Sequence, residues 1–275
     1  MSKPSRNLTL GYSPCPNDTF IFGALAKGHV SIPGIRFNHG LHDVETLNRM
    51  AMAPAPAARL DVSKLSFYAW LMVRDRYQLL DSGAALGEVG PLLISKRPVE
   101  RRDLSSLRIV APGQWTTARL LLKLWAPDSA EPRFTTYDRI FDELNADRAD
   151  LGLIIHESRF TYEGAGFVRI MDLGEWWRRE TGLPIPLGCI AAKRELGEEQ
   201  TSRIARGIRQ SLAIARQDPS LVDSYIRSHA QELDADTLAA HIRAFVNEYS
   251  LSLGETGRQA VKELEQRARD AGAIV

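Results

Sequence analysis

The chain has 275 residues and 44% of them are hydrophobic, so it can bury a large core in one domain or in two smaller ones. Lys and Arg total 35 against 34 for Asp and Glu, and a net charge of +1 offers no global field for holding nucleic acid or an anionic membrane. We therefore expect no such partner, and any anion site must be local.

The cysteine content and the start of the chain favour a cytoplasmic protein. Cys15 and Cys189 lie far apart in sequence, and two cysteines in a chain of this size are expected to be reduced thiols. The polar residues 1–7 are not followed by an apolar segment with a cleavage site, so no secretory signal is expected. No stretch approaches the roughly 18 uninterrupted apolar residues of a membrane span.

Short apolar strands alternate with amphipathic helices from the beginning of the chain, which is the pattern of an α/β sheet. The first part of the chain predicts strands over 8–12, 35–38, 62–65 and 90–95, and helices over 19–27, 44–52 and 67–77. The polar run 96–103 that follows predicts a first crossing to a second lobe.

A second α/β unit follows this run. It predicts strands over 107–111, 134–137, 151–155 and 168–171, and helices over 116–125, 138–146 and 173–181. Residues 182–186 predict the return crossing, and 187–192 a strand of the first lobe. From Gly197 onward the spacing of apolar residues is helical, and these helices are expected to pack against the first lobe.

A chain that leaves one lobe, builds a second and returns is typical of a hinged two-lobed binding fold. We expect lobe 1 to comprise residues 1–99 and 187–275, and lobe 2 residues 100–186. The expected ligand is a small anionic molecule in a cleft between the lobes. The oligomeric state stays open.

Three segments combine a strand end, a tight loop and a helix start, where α/β sheets bind ligands and where backbone N–H groups favour anions. They are residues 13–19, 64–66 and 115–118. In the first, Asn17 or Asp18 can cap the following helix. In the second, Lys64 with the hydroxyl of Ser66 has the chemistry to hold a carboxylate. Ordinary helix caps and a surface lysine are the alternatives.

His156 ends the most apolar strand of the second unit and begins a polar cluster. An ordinary imidazole is largely neutral near pH 7 and suits proton abstraction. The alternative is a partly buried histidine with a structural role. On an extended backbone Glu157 points away from His156, whereas Ser158 returns to the same side and is the better candidate for orienting the ring. A bend in the loop would reverse that choice. The other histidines lie in loop or helix contexts: His29, His39, His42, His229 and His241.

Common cofactor and metal motifs are missing from the sequence. It has no Gly-x-Gly-x-x-Gly after a strand, no Walker-type Gly-Lys-Ser/Thr, no Cys-x-x-Cys and no His-Glu-x-x-His. No cofactor and no metal are therefore expected.

Six segments together resemble the 1,4-dihydroxy-6-naphthoate synthase family, which acts in the futalosine route to menaquinone. The segments are GYSPCPNDTFIF (11–22), DVETLN (43–48), KLS (64–66), GLIIHESRFTY (152–162), DLGEWW (172–177) and TGLPIPLG (181–188). The resemblance covers nearly the whole chain.

The resemblance implies a type II periplasmic-binding-protein-like fold that works in the cytoplasm as an enzyme. It implies a cofactor-independent carbon–carbon lyase that converts cyclic dehypoxanthinyl futalosine into 1,4-dihydroxy-6-naphthoate by base-initiated, retro-aldol-type cleavage. The implied proton acceptor is His156, and the implied substrate contacts lie at 64–66 and 117–118. With the loop residues, the predicted substrate-binding set is Ser13, Asn17, Asp18, Lys64, Leu65, Ser66, Thr116, Thr117 and Ala118.

Two other functions fit part of the sequence. Chorismate dehydratase of the same route shares the fold class and acts without a cofactor, but the motif around His156 favours the synthase. A non-catalytic protein that binds small anions would use the same fold, and it is expected to carry a signal peptide or lipid anchor.

Overall fold

Strands and helices alternate along the chain as far as residue 193, and helices follow, in the computed structural model, which describes residues 6–230 and 234–274. The strands are β1 (Arg6–Tyr12), β2 (Ile35–Leu41), β3 (Val62–Ser66), β4 (Tyr77–Leu79), β5 (Ala85–Gly87), β6 (Leu92–Ser95), β7 (Ile109–Ala111), β8 (Arg133–Phe134), β9 (Leu151–Ile154), β10 (Val168–Asp172) and β11 (Ile185–Lys193).

The α-helices of the described residues connect these strands and follow the last of them. They are α1 (Pro16–Ala26), α2 (Val44–Met52), α3 (Phe67–Val73), α4 (Thr117–Trp125), α5 (Ile140–Asn145), α6 (Ser158–Thr161), α7 (Leu173–Thr181), α8 (Gly197–Gln217), α9 (Ser220–His229), α10 (Ala235–Phe245), α11 (Glu248–Leu251) and α12 (Gly254–Asp270). Across residues 6–230 and 234–274, every helix is too short or too polar to cross a bilayer.

The chain divides into two compact units. Unit 1 holds the described residues up to Leu86 together with Gly188–Gly254, and unit 2 holds Gly87–Leu187 together with the described residues from Glu255 onward. The chain therefore passes between the units three times, at 86/87, 187/188 and 254/255.

These boundaries agree with the expected lobes only in part. The passage at 187/188 lies beside the expected return crossing. Residues 87–99, expected in lobe 1, belong to unit 2 because β6 pairs with β9 and β10 of that unit. The segment from Glu255 onward, also expected in lobe 1, belongs to unit 2, where the guanidinium of Arg267 lies 5.7 Å from the ring centroid of Trp177.

The sheet of unit 1 has the order β2-β1-β3-β11-β4, and β5 pairs with β11. β1 is parallel to both β2 and β3, and β11 runs antiparallel to β3. Since Leu10 pairs with Val62, the carboxyl ends of β1 and β3 lie side by side. Residues 13–18, which follow β1, and residues 64–66, which end β3, therefore meet at one edge of the sheet.

The sheet of unit 2 repeats this arrangement with the order β8-β7-β9-β6-β10. β7 is parallel to β8 and β9, and β6 is antiparallel to β9. Ile109 pairs with Leu151, so the carboxyl ends of β7 and β9 are neighbours. The loop before α4 and the turn at His156 follow these two ends.

Helices α1, α8 and α9 pack together in unit 1 over a buried cluster of aliphatic and aromatic side chains. Leu8, Leu10, Ile21, Phe22, Ile204, Ile208 and Leu212 are among its members. α1 is buried on nearly every side, which fits its apolar composition. The loop that starts α1 is therefore held by the core of the unit.

Most predicted elements form, with shifted ends. α1 begins at Pro16, three residues earlier than expected, because proline suits the first helical position. Asn17 and Asp18 consequently lie inside the first turn, and Cys15 occupies the N-cap position that was expected for one of them. The helix expected over 67–77 ends at Val73, and the short strands β4 and β5 were not predicted.

Candidate functional site

Lys64 of unit 1 forms a buried ion pair. Its Nζ lies 2.5 Å from Oδ1 of Asp18, and the two side chains are 6% and 0% exposed. The interpretation of Lys64 as a surface lysine is therefore wrong. The pair forms because β1 and β3 are parallel neighbours and deliver Asp18 and Lys64 to the same edge of the sheet.

The Asp18 carboxylate also organises the loop after β1. Its Oδ2 accepts hydrogen bonds from the backbone N–H of Ser13 at 3.1 Å and from Ser13 Oγ at 2.7 Å. Its Oδ1 accepts from Asn17 Nδ2 at 3.0 Å. Asp18 thus holds three predicted site residues, Ser13, Asn17 and Lys64, in one buried network.

A histidine that sequence reasoning passed over completes this network. His241 of α10 is fully buried, and its Nε2 lies 3.1 Å from Asn17 Oδ1. Because the amide nitrogen of Asn17 faces the Asp18 carboxylate, the amide oxygen faces His241, and Nε2 is the protonated ring nitrogen. The two residues are 224 positions apart, so no local pattern could have linked them.

Ser66 is held by a second residue that was not predicted, Asn48 of α2. The Ser66 backbone N–H donates to Asn48 Oδ1 at 2.9 Å, and Asn48 Nδ2 donates to Ser66 Oγ at 3.1 Å. Both side chains are buried. Ser66 and Lys64 lie two residues apart on β3 and share a face of the sheet, whereas Leu65 points to the opposite face.

Leu65 is fully buried, so of its groups only the backbone suits contact with a ligand. Gly188 on β11 pairs with Ser66 and leaves room for the lysine stem. A Cβ at position 188 would lie 2.9 Å from Lys64 Cε and 3.3 Å from the Leu65 carbonyl oxygen. Because Gly188 has no side chain, the Lys64 side chain can pass beside β11.

In unit 2 the hydroxyl groups at the start of α4 are engaged with the backbone. Thr116 is the N-cap of α4: its Oγ1 accepts from Arg119 N at 3.3 Å and donates to the Gly113 carbonyl at 3.0 Å. Thr117 Oγ1 donates to the Leu187 carbonyl at 2.8 Å. The N–H groups of Thr117 and Ala118 lie in the first turn of α4, at the positive end of the helix dipole.

His156 follows β9 in a left-handed turn. Its φ is 56°, an uncommon value for a residue other than glycine, and the turn leads directly into α6. The expectation of an extended backbone at His156 is therefore wrong, and the alternation that favoured Ser158 over Glu157 as its partner does not apply. The ring instead makes an edge contact with Tyr137, at 4.9 Å between centroids and an interplanar angle of 63°.

Arg159 anchors the end of the His156 turn. Its Nη1 donates to the Gly90 carbonyl at 2.5 Å, and its Nη2 donates to Asp172 Oδ2 at 2.5 Å. Asp172 in turn caps α7 through Oδ1, which accepts from Gly174 N at 2.9 Å. Gly90 and Gly174 pack so closely that a Cβ on Gly90 would lie 2.5 Å from the Gly174 backbone. Arg159 thus ties the turn to the segment just before β6 and to the start of α7.

Cys15 and Cys189 are buried, and neither forms a disulfide within the described residues. Burial raises the pKa of Cys189 well above its ordinary range, and the nearby Lys64 charge only partly offsets this. A thiol in this setting stays protonated, so Cys189 lacks the thiolate character of a nucleophile.

Known relatives match the chain over nearly its whole length. The menaquinone biosynthesis family model matches residues 8–270. A Thermus thermophilus protein named 1,4-dihydroxy-6-naphthoate synthase is 46% identical over 266 residues, covering 96% of this chain and 95% of the relative. A Streptomyces coelicolor protein of the same name is 39% identical over 274 residues, covering 97% and 94%.

Solved structures match the fold. A crystal structure of an Archaeoglobus fulgidus protein has a TM-score of 0.89 and 33% identity, with 98% of each chain covered. The alkanesulfonate-binding protein SsuA from Xanthomonas axonopodis has a TM-score of 0.72 and 11% identity, with 98% of this chain and 94% of that chain covered. A Candida albicans protein described as having the generic periplasmic binding protein fold has a TM-score of 0.65 and 13% identity, covering 98% and 91%. The chain therefore has the periplasmic-binding-protein fold and belongs to the menaquinone biosynthesis family.

Proposed function

We propose that the protein is a 1,4-dihydroxy-6-naphthoate synthase, a carbon–carbon lyase that acts on cyclic dehypoxanthinyl futalosine. The observation that carries the proposal is the 46% identity to a relative of that name over 96% of the chain. The position of His156 beside a strand end supports it, because a general base must be held in place by its surroundings. We also infer a cytoplasmic location, since the named relatives are biosynthetic enzymes.

The proposed base is His156. Its imidazole accepts the proton of a substrate hydroxyl, and the alkoxide electron pair forms a carbonyl as the adjacent carbon–carbon bond breaks. The electron pair of that bond passes into the ring that becomes aromatic, and the imidazolium returns its proton. These steps balance without an oxidant or a reductant, and formation of the aromatic ring supplies the driving force.

The proposed substrate anchors come from both units. In unit 1 they are Ser66 and Lys64, whose ammonium group has three N–H donors and gives one of them to Asp18. Ser13, Asn17 and Asp18 hold these anchors in place. In unit 2 they are the N–H groups at the start of α4, where the helix dipole favours a negative charge.

Turnover of the purified protein tests the proposal. Incubation with cyclic dehypoxanthinyl futalosine is expected to release 1,4-dihydroxy-6-naphthoate, which is followed by its absorbance. A parallel incubation with chorismate is expected to give no product. Dehydration of chorismate would support the sibling enzyme instead, and binding of either molecule without turnover would support a binding protein.

A further inference from the structure

We propose that Asn48 is a positioning residue that turns the Ser66 hydroxyl into a hydrogen-bond donor for an acceptor oxygen of the ligand. In the proposed reaction this oxygen belongs to the substrate carboxylate. The identity of the ligand rests on the proposed function, whereas the direction of the hydroxyl follows from contacts within unit 1.

The hydrogen bonds of Asn48 determine which way its amide points. The Ser66 backbone N–H, which only donates, lies 2.9 Å from one amide atom of Asn48, so that atom is the oxygen. The other amide atom is therefore the nitrogen, and it donates to Ser66 Oγ at 3.1 Å. A weaker contact of 3.5 Å between Asn48 Nδ2 and the Glu45 carboxylate favours the same orientation.

Ser66 Oγ is thus an acceptor in its bond with Asn48, and its own proton remains to be donated. Ser66 is also the N-cap residue of α3, yet its side chain makes no capping hydrogen bond. A serine in this position commonly accepts a hydrogen bond from the helix backbone and so stabilises the helix. Asp43 and Thr116 do make such bonds at the starts of α2 and α4. The Ser66 side chain is turned to Asn48 instead.

Lys64 lies on the same face of β3 as Ser66, and the two side chains together determine which ligand groups can bind there. Lys64 carries an ammonium group, which only donates, and Ser66 contributes a second donor two residues later. Two adjacent donors match the oxygens of a carboxylate. A ligand hydroxyl that needs an acceptor would be left unsatisfied at Ser66, which disfavours binding.

A double-mutant cycle tests the inference. The variants are Ser66→Ala, Asn48→Asp and the double variant, and the probe is equilibrium binding of 1,4-dihydroxy-6-naphthoate. Asn48→Asp keeps an acceptor for the Ser66 N–H but places a second acceptor where Nδ2 donated, so it draws the serine proton away from the ligand. We expect each single variant to weaken binding by about tenfold or more, as for loss of a hydrogen bond to a charged group.

The double variant decides between a positioning role and a merely structural one. If Asn48 acts through the Ser66 hydroxyl, Asn48→Asp changes the affinity of the Ser66→Ala protein by less than about twofold. If the losses of binding free energy in the two single variants add up in the double variant, the inference is overturned. Normal binding of the probe by Ser66→Ala, or failure of the wild type to bind the probe, would also overturn it. If Asn48→Asp does not fold beside Glu45, Asn48→Ala replaces it. Alanine frees the Ser66 hydroxyl from its orientation without attracting its proton, so a smaller loss of affinity is expected, and this loss should again be absent in the Ser66→Ala protein. Wild-type turnover, measured separately, tests the proposed function.

Discussion

The ammonium group of Lys64 lies 2.5 Å from Oδ1 of Asp18, and both side chains are buried in unit 1. The pair joins the end of β3 to the first turn of α1, where Asp18 also accepts two hydrogen bonds from Ser13. A buried charge that loses its partner costs far more than a surface charge does. Removing one partner of the pair therefore destabilises the fold as well as disturbing the geometry of the site.

Replacing Lys64 by Met or Asp18 by Asn is expected to lower the free energy of unfolding by about 3 to 5 kcal/mol, because each change leaves a buried charge unpaired. Urea denaturation measures this effect. The double variant Lys64→Met with Asp18→Asn leaves no unpaired charge and is expected to recover much of the loss in stability while still binding the product weakly. Single-variant losses that add in full in the double variant would refute the coupling.

Arg159 offers a test of how the His156 turn is held. Lysine cannot donate to both the Gly90 carbonyl and Asp172 in the geometry of a guanidinium, so Arg159→Lys is expected to lower kcat by about tenfold or more with little change in KM. Asp172→Asn removes the charge of the same ion pair from the other side while asparagine still caps α7, and it is expected to lower kcat as well. A normal kcat for Arg159→Lys would show that the conformation of the His156 turn does not depend on the contacts of Arg159.

Asp61 predicts a pH dependence of stability that is separate from the site. Burial alone would raise the pKa of Asp61, but hydrogen bonds from Thr9 and Lys193 outweigh it and the pKa is lowered. A lowered pKa in the folded state means stability that is present above the unfolded pKa and lost as the pH falls through the folded pKa.

We therefore expect Asp61→Asn to cost about 1 to 2 kcal/mol near neutral pH and progressively less below about pH 4. Denaturation of the wild type and the variant at several pH values measures the difference. A difference that stays constant down to about pH 3 would contradict the assigned role of the Asp61 charge.

Parts of the site that depend on local order could be predicted from the sequence. The strand before His156 and the loop before α1 follow from short apolar runs and prolines, and both form. The left-handed backbone of His156 could not be predicted, because an unfavourable φ at a residue other than glycine persists only where its surroundings impose it. The resulting turn removed the reason for choosing Ser158 as the partner of the ring.

Asn48 and His241 were missed for a different reason. Each contacts a predicted site residue only after distant segments pack: Asn48 meets Ser66 through α2 and β3, and His241 meets Asn17 through α10 and α1. Their own neighbours in sequence carry no signal of these contacts. The placement of α12 in unit 2 likewise depends on packing, since its helical periodicity does not identify its partner.

His156 is the base of the proposed reaction, and the rate of product formation by the variant His156→Asn measures its role. Asparagine tolerates the left-handed backbone at φ 56°, so this variant should fold as the wild type does, whereas His156→Ala adds strain of about 1 to 2 kcal/mol. We expect His156→Asn to bind the product normally and to turn over substrate about 10² to 10⁴ times more slowly than the wild type. A folded His156→Asn protein with near-normal kcat would contradict the claim and place the base elsewhere.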